Sequence, residues 1–183
     1  MILKNENLFV VTGGPGVGKT TVLDELARRG YSVVPEVARQ IIQEQVQSKG
    51  NALPWGDTER YTEMMLARSI ESYQRLDSSQ FPTFCDRGIP DTLCYAHIIK
   101  LTDTREIQAA CEQFRYNSRV FLLPPWKEIY TTDTERKQTF DEAVDVYHQM
   151  MRAYGNCGYE ICEVPRAPVS ARADFILSRL GAP

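Results

Sequence analysis

The sequence alternates between short apolar runs and longer segments whose apolar residues recur at helical spacing. The short runs are rich in β-branched and aromatic residues, and each is followed by glycine, proline or a polar turn, which predicts buried strands. We predict five strands, at residues 8–12, 31–34, 82–85, 120–123 and 159–164. We predict helices at residues 36–47, 58–76, 91–99, 104–114 and 169–180. Two further helices are predicted, one that ends at Gly30 and one that begins after Thr139. Because strands and helices alternate, the pattern predicts an α/β fold, a three-layer, doubly wound parallel sheet.

Two local patterns refine this prediction. Thr139 with Glu142 three residues later is a capping box, so we expect a helix to begin there. The carboxyl ends of parallel strands meet at one edge of a sheet, where ligands of such folds bind. Thr12, Asp86 and the Pro124 region lie at predicted strand ends. The sequence therefore places its candidate chemistry at this edge.

The loop after the first strand reads GGPGVGKTT and matches the G-x-x-x-x-G-K-[ST] (Walker A) pattern of a P-loop. Glycine allows the backbone to approach a phosphate closely and to take left-handed angles, so that N–H groups can surround the anion. The following helix would point its positive end at the same anion. We predict nucleotide binding by the residues of this loop: Gly13, Gly14, Pro15, Gly16, Val17, Gly18, Lys19, Thr20 and Thr21.

Two side chains of this loop carry distinct chemistry. Lys19 supplies a positive charge to the β- and γ-phosphates, and the Thr20 hydroxyl is a hard oxygen ligand suited to Mg²⁺. The chain has no T-K-x-D or N-K-x-D segment that would read guanine. ATP and Mg²⁺ are therefore the expected cofactors, although the loop alone does not distinguish a kinase from an ATPase.

Asp86 and Arg87 follow the third predicted strand in the segment PTFCDRG. In P-loop enzymes an acidic residue at such a strand end reaches the Mg²⁺ shell, and in small-molecule kinases it can accept the acceptor's hydroxyl proton. We interpret Asp86 as a catalytic or metal-binding carboxylate and Arg87 as a contact for phosphate or for a substrate carboxylate. The alternative is a strand-to-helix turn with Asp86 as a helix cap and Arg87 on the surface.

Two further segments are candidates for the acceptor side and for a lid. Glu36 and Arg39 lie three residues apart, so they project from the first turn of one helix, either into the cleft as acceptor ligands or outward as a surface ion pair. Residues 126–138 are polar and aperiodic, and we predict a lid that brings Arg136 onto the transferred phosphate. The alternative for this segment is an ordinary solvated loop.

Composition excludes several classes of protein. A length of 183 residues fits one domain, residues 1–183, and no apolar run approaches the ~20 residues of a membrane span. Residues 1–7 lack the apolar core of a signal peptide, and the five cysteines form no C-x-x-C pair, so we expect a cytoplasmic protein with reduced thiols. A net charge of −3 without a basic block makes nucleic acid an unexpected partner.

The residues carry a family resemblance along nearly the whole chain, from Leu8 to Leu180. The segments VVTGGPGVGKTT, VVPEVARQII, FCDRGIPD, VFLLPPW and VPRAPVSARADFIL resemble the AAA-type predicted ATPase/kinase-like P-loop family, which includes the ribosylnicotinamide kinase domain. The resemblance implies a compact kinase with strand order 2-3-1-4-5. It also implies a catalytic carboxylate at Asp86, an acceptor pocket near Glu36 and Arg39, and Arg136 in the lid.

These observations favour an ATP- and Mg²⁺-dependent small-molecule kinase. Lys19, Asp86 and Arg136 are its candidate catalytic residues, Glu36, Arg39 and Arg87 its candidate substrate ligands, and Thr20 and Asp86 its candidate metal ligands. The acceptor is not specified, and a nucleoside-like molecule is one candidate. The alternative is a nucleotide-dependent regulatory ATPase or switch that acts on a protein partner. Phosphorylation of polynucleotide 5′ ends is a third option, which the acidic charge disfavours.

Overall fold

The structure is a computed structural model that describes residues 1–76, 80–130 and 139–180. The strands are β1 (Leu3–Lys4), β2 (Leu8–Gly13), β3 (Ser32–Val34), β4 (Thr83–Asp86), β5 (Phe114–Arg115), β6 (Arg119–Leu123) and β7 (Glu160–Glu163). The helices are α1 (Lys19–Arg28), α2 (Val37–Ser48), α3 (Thr58–Leu76), α4 (Ile89–Ile98), α5 (Arg105–Gln113), α6 (Phe140–Asn156) and α7 (Val169–Ser178). A short 3₁₀ helix covers Lys127–Ile129.

The main sheet has five parallel strands in the order β3-β4-β2-β6-β7. Numbered along the chain within this sheet, the strands stand in the order 2-3-1-4-5. The predicted α/β fold with a parallel sheet is confirmed. The central strand β2 is buried along its whole length, and Val11 lies beside Asp86 of β4 while Gly13 lies beside Leu123 of β6. This register brings the P-loop next to the end of β4.

The two faces of the sheet are covered by different helices. Successive residues of β2 alternate between them, as the two-residue period of a strand requires. Phe9 and Val11 pack with Leu26 of α1 and Ile176 of α7, whereas residues 8 and 10 face the cluster built mainly by α3, α4 and α5. Because β2 is apolar on both faces, its sequence is a continuous apolar run rather than an alternating one.

The helix boundaries follow local chemistry. Helix α3 spans the predicted residues 58–76, and the predicted capping box opens α6: the Glu142 N–H donates to Thr139 Oγ1 at 3.3 Å, and the Thr139 N–H donates to Glu142 Oε2 at 2.6 Å. Helix α4 begins at Ile89, two residues before the predicted start at Asp91. The reason is that Pro90 suits the first turn of a helix and the Asp91 carboxylate accepts the Gly88 N–H.

A second, two-stranded parallel sheet pairs β1 with β5 and was not predicted. The Tyr73 hydroxyl donates to the carbonyl oxygens of Leu3 and Arg115 at 3.0 and 2.9 Å, so one side chain of α3 holds both strands. Two-residue strands are too short to give a hydrophobic period. Among the described helices, none has both the length and the apolar character that a membrane crossing requires.

Candidate active site

The P-loop connects the end of β2 to the first residue of α1. Gly16 and Gly18 have φ angles of 78° and 79°, in the left-handed region that favours glycine. A Cβ on Gly16 would lie 3.0 Å from the ring of Tyr130, and one on Gly18 would lie 2.9 Å from a guanidinium nitrogen of Arg172. The loop therefore needs glycine at these positions for its backbone shape and for the side chains packed against it.

The predicted nucleotide-binding residues form one continuous segment, residues 13–21, and differ in exposure. Val17 is buried in the core, so only its backbone is available to a ligand, while Thr20 and Thr21 are exposed at the start of α1. The backbone N–H groups of residues 16–18 donate to no acceptor within the described residues. Unpaired N–H groups at the start of a helix fit a phosphate, and the exposed Thr20 hydroxyl fits a Mg²⁺ ligand.

Lys19 and Asp86 meet across two neighbouring strands. The Lys19 ammonium is only 8% exposed, donates to the Asp86 carboxylate and lies 3.7 Å from Glu36 Oε2. The geometry thus joins a P-loop residue, a residue at the end of β4 and a residue after β3. The side chains at these strand ends therefore lie close together, as we expected for the carboxyl edge of the sheet. Their chemical roles stay proposals.

One alternative placed Arg87 on the surface, but the Arg87 side chain is largely buried. Its Nε donates to Glu36 Oε1 at 2.6 Å, and a terminal nitrogen donates to Asp91 Oδ1 at 3.2 Å. Its φ angle of 73° is left-handed, which costs a non-glycine residue of order 1–3 kcal/mol. Burial opposes the charged form, but the carboxylates of Glu36, Asp91 and Asp86 raise the pKa of Arg87 overall. The guanidinium is therefore a fixed positive charge beside Asp86.

Asp91 is the residue of this site that the sequence analysis missed. It is 5% exposed and accepts hydrogen bonds from Thr12 Oγ1 at 2.6 Å, the Gly88 N–H at 2.8 Å, the Tyr154 hydroxyl at 2.5 Å and Arg87 at 3.2 Å. Asp91 therefore joins β2, the turn after β4 and α6. The only local signal for it is its place three residues after Gly88, where a capping carboxylate belongs.

The surroundings move the pKa values of the two largely buried carboxylates, Asp86 and Glu36, in opposite directions. Burial raises the pKa of Asp86, with a further rise from the charge of Glu36, and Lys19 and Arg87 only partly oppose this. Burial also acts to raise the pKa of Glu36, but Arg87, Lys19 and Arg39 together bring it below its usual value. Two carboxylates whose pKa values are moved apart can take different roles, one as a base and one as a fixed anion.

Glu36 and Arg39 occupy different positions from those predicted. Glu36 has extended backbone angles and precedes α2 as its N-cap residue, so it does not project from the helix. It pairs with Arg87 and Lys19, and the described residues contain no Glu36–Arg39 ion pair, so the surface-pair interpretation is wrong. Arg39 lies on α2 and is exposed. The register differs because Pro35 and an extended Glu36 delay the start of α2.

A cleft and a shallow groove flank this group of charges. A cleft of about 340 Å³ beside Asp86 and Arg87 is lined also by Pro35, Ser69 and Ser72. Nearby, the rings of Tyr61 and Tyr95 meet edge to face at 5.4 Å, and burial together with the charge of Glu36 raises the pKa of Tyr61. On the other side of the P-loop, a shallow surface groove is lined by residues that include Trp126, Pro165 and Arg172.

The predicted lid is described only in part. Trp126 and the 3₁₀ helix follow β6, and Tyr130 then packs over Gly16 and meets the ring of Phe140 at 5.5 Å. Arg136 lies outside the described residues, so its predicted position over the phosphates stays a prediction. The first part of this segment is thus in contact with the P-loop.

Comparison with known proteins agrees with the geometry. The family model described as an AAA domain matches residues 8–172, most of the chain. The structure is similar to a NadR protein in complex with NR, at 16% identity and a TM-score of 0.70 over 97% of this chain and 52% of that one. No protein with a curated description matches the sequence.

Two further solved structures match over nearly their whole length. A thymidylate kinase from Ehrlichia chaffeensis has 14% identity and a TM-score of 0.63 over 97% of this chain and 100% of that one. A deoxyadenosine kinase from M. mycoides, with products dcmp and a flexible dcdp bound, has 12% identity and a TM-score of 0.58 over 94% of this chain and 97% of that one. The chain spans about half the length of the NadR structures it matches. These likenesses show a P-loop kinase fold and confirm the resemblance.

Proposed function

We propose that this chain, which belongs to the AAA-domain family, is a single-domain, ATP- and Mg²⁺-dependent phosphotransferase with a nucleoside-like acceptor. The observation that carries the proposal is the meeting of Lys19 and Asp86 in one buried group with Glu36 and Arg87. A P-loop that only binds a nucleotide needs Lys19. A transferase also needs a carboxylate and a binding wall on the other side of the transferred phosphate, and these residues supply both.

On the donor side, the chain's own residues bind and orient the phosphates. The N–H groups of residues 16–18, which have no acceptor among the described residues, and the positive end of α1 would surround an anion, and the Lys19 ammonium adds a full charge. Thr20 and Asp86 are the residues that would hold Mg²⁺, which supplies charge neutralisation of the donor phosphates when bound. Trp126 and Pro165 line the adjoining shallow groove, which is the proposed side for the base of the donor.

Asp86 is the proposed base or orienting group for the acceptor hydroxyl. In the free protein its carboxylate is engaged by Lys19. A donor phosphate competes for the same ammonium, so donor binding releases the carboxylate toward the acceptor. A carboxylate whose pKa is raised by burial accepts a proton better than an ordinary aspartate near neutral pH.

On the acceptor side, polar and aromatic groups lie together. Glu36, fixed by Arg87, offers oxygen acceptors for sugar hydroxyls, and the Tyr61–Tyr95 pair offers aromatic faces and edges for a ring. Arg39 lies one turn further on α2, at the exposed rim. Similar structures include a NadR protein in complex with NR and two nucleoside or nucleotide kinases, which supports a nucleoside-like acceptor for this chain.

A scan of nucleosides and nucleotides for ATP consumption tests the proposal. We expect one acceptor to raise consumption above the background with water, and Asp86→Asn to abolish that increase. Asp103→Asn is the matched control, because Asp103 is exposed and, among the described residues, forms an ion pair with Arg105 alone. If no acceptor exceeds the water background and a protein partner is captured only with an ATP analogue, the regulatory switch replaces the kinase.

A further inference from the structure

Arg172 is a buried cation with an incomplete set of partners. It lies on α7, is 5% exposed, and one terminal nitrogen donates to the Val17 carbonyl oxygen at 3.1 Å. Among the described residues, its Nε has no hydrogen-bond partner and no carboxylate forms an ion pair with it. Burying an unpaired donor costs free energy, which the contact between the guanidinium and the Trp126 ring offsets in part. The one hydrogen bond that Arg172 makes among the described residues is to the P-loop.

The surroundings of Arg172 connect it to the P-loop. Its guanidinium lies so close to Gly18 that a Cβ there would be 2.9 Å from it, and its central carbon is 5.6 Å from the centre of the Trp126 ring. Arg172, Val17 and Trp126 also line the shallow groove beside the loop. One side chain thus contacts the outer edge of the phosphate loop and borders the groove next to it.

Helix α7 is held firmly enough to act as a support. Ala173 and Ile176 are fully buried against the sheet, and Arg29 at the end of α1 bonds to both Ser170 and Asp174. Arg172 therefore projects from a fixed element. Arg172 lies 155 residues after Val17 in the sequence, so the two residues meet only in the folded protein.

We propose that Arg172 is a positioning residue for the donor nucleotide: it fixes the Val17 carbonyl and thereby holds the P-loop in its phosphate-binding shape. The proposal rests on the nucleotide site of the proposed function but not on the identity of the acceptor. Because the hydrogen bond of Arg172 goes to the Val17 carbonyl and no carboxylate of the described residues pairs with it, the guanidinium acts on the loop that binds the donor.

Affinity for two donors tests this role: magnesium AMP-PNP, and magnesium tripolyphosphate, which has no base. Because Arg172 acts on the loop, Arg172→Met is expected to weaken both by about tenfold or more, the usual effect of losing a hydrogen bond to a charged group. Turnover at saturating ATP should change less than affinity. Arg172→Lys should recover part of the loss, because an ammonium can still donate to the Val17 carbonyl. Arg179→Met, an exposed arginine just after α7, is the matched control.

A spectroscopic signal separates positioning from loss of folding. The chain has two tryptophans, and Trp55 is 69% exposed, so a Trp55→Phe background leaves Trp126 as the reporter beside Arg172. We expect either donor to change Trp126 emission, and Arg172→Lys to shift the titration midpoint to higher concentration with an unchanged thermal midpoint.

Three results would overturn the role. The first is that folded Arg172→Met binds both donors with unchanged affinity. The second is that only the affinity for AMP-PNP falls, which would mean that Arg172 contacts the base alone. The third applies if Arg172→Met does not fold, and it is an unchanged titration midpoint for Arg172→Lys. If the wild-type chain binds neither donor, the nucleotide site fails together with this role. If donors bind normally but no acceptor is phosphorylated, only the proposed kinase activity fails.

Discussion

Lys19 and Asp86 form a buried ion pair that joins the P-loop to the end of the neighbouring strand β4. The pair is possible because β2 and β4 run parallel with Val11 beside Asp86, so both strands end at the same edge of the sheet. It means that the residue expected to bind the donor phosphates holds the residue expected to act on the acceptor.

Removing the charge of Glu36 should change the pH dependence of turnover. Asp86 is active as a base only when ionised, and its pKa is raised, so kcat/KM should fall on the acid side at a pH above the ordinary aspartate range. Glu36 is one cause of that rise, so Glu36→Gln should move the acid limb to lower pH, whatever its effect on the maximum rate. Glu63→Gln, an exposed residue of α3, is the control. An acid limb that stays in place or moves upward would refute the assignment.

Gly16→Ala should weaken nucleotide binding by about tenfold or more. Alanine at a left-handed position costs about 1 kcal/mol, and here its Cβ would also meet the Tyr130 ring at 3.0 Å, so the loop or the ring must move. Gly30→Ala is a matched control, because Gly30 is also left-handed but has open space around it. Both variants should lose stability in thermal unfolding because of the left-handed angle, and Gly16→Ala should lose at least as much as Gly30→Ala. Equal nucleotide affinity in the two variants would show that the Gly16 packing is irrelevant to binding.

Asp91→Asn should lower the free energy of unfolding by about 2 kcal/mol or more, because it removes a buried charge that accepts from Arg87, Thr12 and Tyr154. It should also raise the KM of the acceptor, since Arg87 loses one of its two carboxylate partners. Denaturant unfolding measures the first effect. Thr92→Val is the control: the Thr92 hydroxyl is buried without a partner among the described residues, so its removal should be neutral or stabilising. Wild-type stability of Asp91→Asn would contradict the assigned network.

Lys19→Met should abolish detectable phosphotransfer, a loss of at least about 10²-fold, because a preorganised charge on the transferred phosphate is removed. Nucleotide affinity should fall as well, since the ammonium is buried beside the P-loop. Lys4→Met changes an exposed lysine of β1, outside the P-loop and the predicted lid, and provides the comparison. Fluorescence titration with an ATP analogue, together with a turnover assay, measures both effects. Turnover within tenfold of the wild type would exclude Lys19 from the reaction.

Much of the fold could be predicted because its determinants are local. The apolar runs, the P-loop glycines and the Thr139 capping box each act within a few residues of themselves. The shared position of Lys19 and Asp86 also followed, because parallel strands end at a common edge. Asp91 and Arg172 could not be found in this way. Their partners Thr12 and Val17 are 79 and 155 residues away, and only the folded packing brings them together.

The extended backbone of Glu36 shows a second reason why sequence patterns fail to predict part of the site. Its spacing from Arg39 fits a helical pair, and the local pattern gives no reason to reject it. The outcome was decided by the buried guanidinium of Arg87, which takes Glu36 as a partner from 51 residues away. Tertiary charge pairing therefore overrode a weaker helical preference.

The fate of the γ-phosphoryl group tests the central claim most directly. The wild-type protein would be mixed with γ-labelled ATP and the acceptor found in the scan, and the labelled products separated at short times. If Lys19 and Asp86 serve a phosphotransfer site, the label appears on the acceptor, and Asp86→Asn lowers that rate by about 10²-fold or more while AMP-PNP binding stays within about tenfold. Label found only in inorganic phosphate, at the same rate with and without the acceptor, would contradict the account.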